Sequence, residues 1–214
     1  MFRSNLLSLW FSVLVFASFA GAASLPSGIQ YPVLVMLLWG VITLWIPSVR
    51  AKLHDNGWGA LDLYVIGALC AIPIATIVTM TVHPGWLWAE LDNPSRYFVA
   101  AIVYTLIRLA RPSKEALWIG LSIGCTGAFL HAVITDGRAG AYINVISFGM
   151  VSMGLAVFAI VVAMFEERRL IQAVLLLSAI GGVYAALDSG TRGSWIALLG
   201  LPVILPLILP RQML

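Results

Sequence analysis

Apolar runs close to 20 residues long recur from one end of this 214-residue chain to the other. A helix rising 1.5 Å per residue needs about 20 residues to cross the hydrocarbon of a bilayer. Inside lipid every backbone N–H and C=O must be satisfied within the protein, so spanning segments are helices or closed barrels. Barrel strands would alternate polar and apolar residues, and these runs do not. Only 10% of the residues are charged and 61% are hydrophobic, where a soluble domain carries roughly a quarter charged. The chain therefore reads as all-α, a polytopic transmembrane bundle of about eight helices.

The runs place helices near residues 5–23, 31–48, 60–82, 96–110, 115–135, 143–165, 169–187 and 194–210, with ends good to about four residues. Connections are short, and neither an internal repeat nor a low-complexity linker interrupts them. One transmembrane helical domain over 1–214 is the simplest organisation. Arg3, the apolar stretch from Leu6 to Phe19 and Gly21-Ala22-Ala23-Ser24 imitate a secretory signal peptide, but in a polytopic chain an uncleaved first helix is the better reading. The pI near 9.1 does not indicate nucleic acid, because the Lys and Arg residues are scattered singly between spans. Cys70 and Cys125 both fall inside apolar runs, as reduced, packed thiols do.

Basic residues in short loops orient such a bundle. Arg3, Arg50, Lys52, Arg108, Arg111, Lys114, Arg168, Arg169 and Arg211 fall on one side, and only Arg96, Arg138 and Arg192 on the other. The N-terminus is thereby assigned to the cytoplasm. Trp45 and Trp58 then flank the inner face and Trp86, Trp88 and Trp195 the outer one, as interfacial belts. Pro73, Pro202 and Pro206 lie inside spans, where each removes a backbone donor and favours a kink. Gly120-Leu-Ser-Ile-Gly124, with Gly127 one turn on, allows close helix approach in the fifth span.

The exceptions to the charge rule carry the chemistry. Each outer loop after helices three, five and seven holds one arginine and no lysine: Glu90-Leu-Asp-Asn-Pro-Ser-Arg96, Asp136-Gly-Arg138-Ala-Gly-Ala-Tyr-Ile-Asn144, and Asp188-Ser-Gly-Thr-Arg192-Gly. A guanidinium is permanently charged and presents a planar fork of donors suited to phosphate. Arg96 and Arg192 are each expected to begin a helix, where unpaired amides also favour an anion. Convergence of the three loops would make a cationic pocket at the outer leaflet. The plainer alternative is a loop ion pair for each, Asp92 with Arg96, Asp136 with Arg138 and Asp188 with Arg192, worth little at a wet interface.

Other polar residues point less clearly to chemistry. His83, in Val-His83-Pro-Gly-Trp, is on the outer side and within the class of general bases, though a loop histidine is more often a surface residue. His54 and His131 lack metal-ligand spacing with a second ligand. Asp62 and Glu115 stand at inner helix ends, placed to snorkel or to pair with Arg or Lys, and Glu166-Glu-Arg-Arg169 reads as a solvated turn. No P-loop, dinucleotide fingerprint or nucleophile elbow is present, so any reaction must draw its energy from the substrate.

At two of the arginine segments the chain resembles the O-antigen ligase and polymerase superfamily. Ser189-Gly-Thr-Arg192-Gly193-Ser-Trp-Ile-Ala-Leu198 is similar to that family's Ser/Thr-Arg-Gly pattern opening a transmembrane helix. Arg138-Ala-Gly-Ala-Tyr-Ile-Asn144-Val-Ile-Ser-Phe-Gly149 looks like its arginine loop leading into Asn-Pro-x-x-Phe-Gly, with Val145 in place of the proline. The resemblance covers roughly residues 90–200 in pattern. It implies an enzyme of the bacterial inner membrane that takes an undecaprenyl-diphosphate-linked glycan at the periplasmic face and, as a ligase, transfers it to lipid A-core. The diphosphate is the leaving group, so no metal or other cofactor is implied. Arg138 and Arg192, with Arg96 as a third contributor, would hold its phosphates and stabilise charge developing in the transition state. Members of the superfamily carry further helices and a large periplasmic loop with a histidine proposed as general base. This chain is accordingly expected to be an N-terminal part, with its catalytic base elsewhere and no such role for His83. A polymerase of the same superfamily and a transporter of a lipid-phosphate or anionic substrate are the competing readings. A purely structural subunit is the third, in which the arginines serve stability alone.

Overall fold

The computed structural model describes residues 2–23, 25, 28–47, 59–82, 91–135, 144–193, 196 and 199–200. The described residues form seven helices: α1 (Phe2–Gly21), α2 (Gln30–Leu44), α3 (Ala60–Val82), α4 (Asp92–Ala110), α5 (Lys114–Ile134), α6 (Val145–Met164) and α7 (Arg169–Asp188). No strand occurs among them. Four of the seven, α3, α5, α6 and α7, are long and apolar enough to cross a membrane. Four such candidate spans suggest a multi-pass membrane protein, and the described residues are all-α. Seven of the spans read from hydropathy correspond to these helices to within about four residues. The eighth, 194–210, falls almost wholly outside the described residues.

One boundary differs in a way that matters for the arginines. α4 begins at Asp92, not at Arg96. Pro94 is the reason the start is hard to read: proline is tolerated in the first turn, where its missing N–H would have no intrahelical partner. Asp92 complements the positive end of the helix dipole, and the Ser95 hydroxyl donates to the Asp92 carbonyl at 2.7 Å. Arg96 therefore stands in the second turn of a helix rather than at its start. α4 ends where Arg111 adopts a left-handed conformation (φ 48°) and its N–H bonds the Ile107 carbonyl. Pro112 follows, and Ser113 caps α5 by accepting from the Ala116 N–H at 3.2 Å.

The described residues fall into two compact units, residues 1–11 with 33–111, and residues 12–32 with 112–214. In the first, α3 packs along α4. Gly40 lies directly against the Leu106 side chain, Trp10 meets Trp39 with ring centroids 6.4 Å apart, and Met36 and Leu106 are buried. Pro73 is buried within an unbroken α3, so the proline interrupts the hydrogen-bond ladder without ending the helix.

In the second unit α7 packs extensively on both α6 and α5. Each helix buries one stripe at helical spacing: Leu121, Cys125, Ala128 and Ala132 on α5; Phe148, Ser152, Ala156, Ala159 and Ala163 on α6; Ile171, Leu175, Ala179, Gly182 and Ala186 on α7. Small residues dominate because lipid is as apolar as leucine, so membrane helices associate by close van der Waals contact rather than by escaping water. The glycine motif of α5 serves that purpose. Gly120 lies against the backbone of Phe16, and a Cβ at Gly124 would fall on the Phe19 carbonyl oxygen. Outward-facing Leu130, Ile134, Ile146, Phe158, Leu170 and Leu177 are more than half exposed, which suits a surface covered by acyl chains.

Candidate functional site

The Ser189-Gly-Thr-Arg192 segment is built by the way α7 stops. Gly190 takes a left-handed conformation (φ +68°) just after the C-cap Ser189, the usual means of ending a helix without a Cβ penalty. The chain turns back, and Ser189 and Thr191 bury their hydroxyls, each 8% exposed. Ser189 Oγ donates to the Ala186 carbonyl at 2.7 Å and lies 2.9 Å from Thr191 Oγ1. Thr191 Oγ1 also reaches the Val145 carbonyl at 3.3 Å. Either hydroxyl can donate across the 2.9 Å Ser189–Thr191 contact. Val145 is the first residue of α6, and Asn144 caps that helix by accepting from the Ile146 N–H at 2.9 Å.

Gly149 completes this joint from the α6 side. A Cβ there would land on Ser189 Oγ and come within 2.6 Å of Thr191 Oγ1. A Cβ built on Gly193 would lie 3.8 Å from the Met150 methyl. Arg192, next to Thr191 on the start of α6, is itself exposed and helical. Among the described residues it makes no ion pair with Asp188 or any other acid. The segment expected to hold the third arginine is thus fastened to the start of the helix that follows the second arginine loop in sequence.

The other two arginines fare differently. Arg138 and its neighbour Asp136 lie outside the described residues, as do His83, His54, Trp58, Trp86, Trp88 and Trp195. Arg96 belongs to the first unit and forms the anticipated pair with Asp92, Nη2 to Oδ2 at 3.0 Å. Both side chains are about two-thirds exposed or more. An i,i+4 pair so wet contributes little to stability and leaves the guanidinium accessible. His131 stacks at 5.2 Å and a tilt of 49° on Phe148.

One charged cluster is only half legible in the sequence. Asp62, at the start of α3, is buried and accepts from three donors: the Tyr104 hydroxyl at 2.5 Å, Arg108 Nη2 at 2.6 Å and the Gly59 N–H at 3.0 Å. A pairing of Asp62 with Arg or Lys follows from its place at a helix end; Tyr104 and Arg108, one helical turn apart on α4, supply the signal for which partner. With the carboxylate satisfied on both oxygens, the cluster reads as a fastening between α3 and α4.

A polar cleft of about 200 Å³ lies at the opposite end of the second unit from Thr191, lined by Lys114, Glu115, Trp118, Glu166, Glu167 and Arg168 among others. Its mixed charges, with Glu166 Oε1 accepting the Arg168 N–H at 3.2 Å, describe a solvated turn rather than a field of one sign. Compared with known proteins, the chain matches no family model, no curated protein and no solved structure.

Proposed function

We propose that this membrane protein is an O-antigen ligase, a glycosyltransferase using an undecaprenyl-diphosphate-linked glycan at the periplasmic face of the bacterial inner membrane. Arg192 and Arg138 hold the diphosphate, and lipid A-core is the acceptor. One observation carries the reading: Thr191 joins the Arg192 segment to Val145, the first residue of the helix entered from the Arg138 loop. Two guanidinium groups on one diphosphate would neutralise the charge that grows as the glycosidic bond breaks, which is where electrostatic stabilisation accelerates a reaction. The exposure of Arg192 and its freedom from an ion pair among the described residues leave its donor fork open to a phosphate.

The test is glycan transfer by the full-length gene product in proteoliposomes containing lipid-diphosphate O-antigen and lipid A-core. Transfer without ATP, lost in Arg138→Ala and Arg192→Ala while both variants stay folded, is the expected result. Chain lengthening of the donor-linked glycan in place of transfer to lipid A would make the protein a polymerase. Flux of donor across the bilayer without bond breakage would make it a transporter and end the ligase reading.

A further inference from the structure

We infer that the Ser189–Thr191 hydroxyl pair, received by the missing side chain of Gly149, is a positioning latch that sets Arg192 against the N-terminal turns of α6. The inference rests on the proposed role of Arg192. Arg192 has no anchoring contact of its own among the described residues, so its place depends on its neighbours. Thr191, immediately before it, is buried, with its hydroxyl 2.9 Å from Ser189 Oγ and donating to the Val145 carbonyl at 3.3 Å. Gly193, immediately after it, lies on the Met150 side: a Cβ built there would come 3.8 Å from Met150 Cε. The arginine is therefore held through Thr191 on the start of α6, and Gly190 at φ +68° sets the angle at which the segment leaves α7. Gly149 is what makes room: any Cβ there would displace both hydroxyls. An arginine that must track charge moving onto a leaving group loses its effect when misplaced by about an ångström, and the latch supplies that placement. Thr191 and Ser189 touch no substrate in this scheme. They act through Arg192.

Thr191→Val keeps the shape and removes the hydroxyl, Thr191→Ser keeps the hydroxyl, and Gly149→Ala crowds the pair from the α6 side. Two readouts are taken on the full-length protein. The first is bridging of a Met150→Cys/Gly193→Cys pair by a short bifunctional thiol reagent, which reports the segment's place without any activity. The second is the kinetics of glycan transfer, with the detergent melting temperature measured alongside. Thr191→Val and Gly149→Ala are expected to slow bridging and lower kcat about tenfold, as loss of one hydrogen bond's worth of transition-state placement would. The melting temperature should stay near wild type in Thr191→Val and fall in Gly149→Ala, where the new Cβ collides with Ser189 Oγ, and Thr191→Ser should restore both bridging and rate. Unchanged bridging in Thr191→Val overturns the latch whatever the activity. Slower bridging with an undiminished rate, or a rate that falls in Thr191→Val only in step with melting temperature, overturns its part in catalysis. Failure of the functional reading itself looks different: Arg192→Ala transfers as wild type does, and the catalytic role of the latch falls with it.

Discussion

At the scale of single residues, buried polar groups decide what each helix pair can tolerate. Asp62 is 5% exposed and accepts three hydrogen bonds; ionised side chains in membrane spans persist only where such partners are supplied. Arg108 is about half exposed while Asp62 is buried, so removing the arginine strands a buried carboxylate, which is worse than having no pair at all. Arg108→Leu should therefore lower the detergent melting temperature more than the Asp62→Asn/Arg108→Leu double variant does, and Tyr104→Phe should have a smaller effect than Arg108→Leu. Equal losses for the single and double variants would show that the pair does not act as a unit. Ser152 is the converse case. It is wholly buried in α6, and its hydroxyl has no partner among the described residues. An unpaired buried hydroxyl costs about 1–3 kcal/mol, so Ser152→Ala should leave stability unchanged or raise it by about 1 kcal/mol in a reversible unfolding assay. A clear loss would reveal a partner for that hydroxyl.

At the scale of helices, small residues set how closely backbones approach. Gly124 lies against the Phe19 carbonyl, so Gly124→Val must push α1 away from α5 or distort one of them. Overpacking of that kind costs on the order of 1–3 kcal/mol, and the expected outcome is a lower melting temperature. The same change at Gly154, where a Cβ would meet only open space, should be silent. Much of this level is legible in sequence. Seven of the runs read from hydropathy become α1 to α7, and four of these helices are long and apolar enough to cross a bilayer, where a backbone has no other way to satisfy itself. The Gly120/Gly124 spacing foretells a close contact but not its partner, since the spacing says only that a backbone can approach. The start of α4 is hidden because Pro94, usually a stop signal, is harmless in a first turn. At the candidate site the arginine of Ser189-Gly-Thr-Arg192 stands out by its charge. The two hydroxyls beside it do not, because their meaning lies in Val145 and Gly149, about 40 residues away in the chain.

At the scale of the whole molecule, four helices fit to cross a bilayer suggest a multi-pass protein, and the proposed function relies on the charge asymmetry of its loops to put the Arg192 end in the periplasm. It adds one requirement to that frame: Arg138 and Arg192 must bind one diphosphate together. Binding of undecaprenyl diphosphate to the full-length protein in nanodiscs, measured for wild type, Arg138→Ala, Arg192→Ala and the double variant, tests this most directly. If both guanidinium groups grip the same ligand, each single change weakens binding about tenfold. The double variant then departs from the product of the two, because the sites are coupled through a shared partner. Wild-type affinity in both single variants, or two effects that multiply independently, would contradict the claim that these arginines form one diphosphate site.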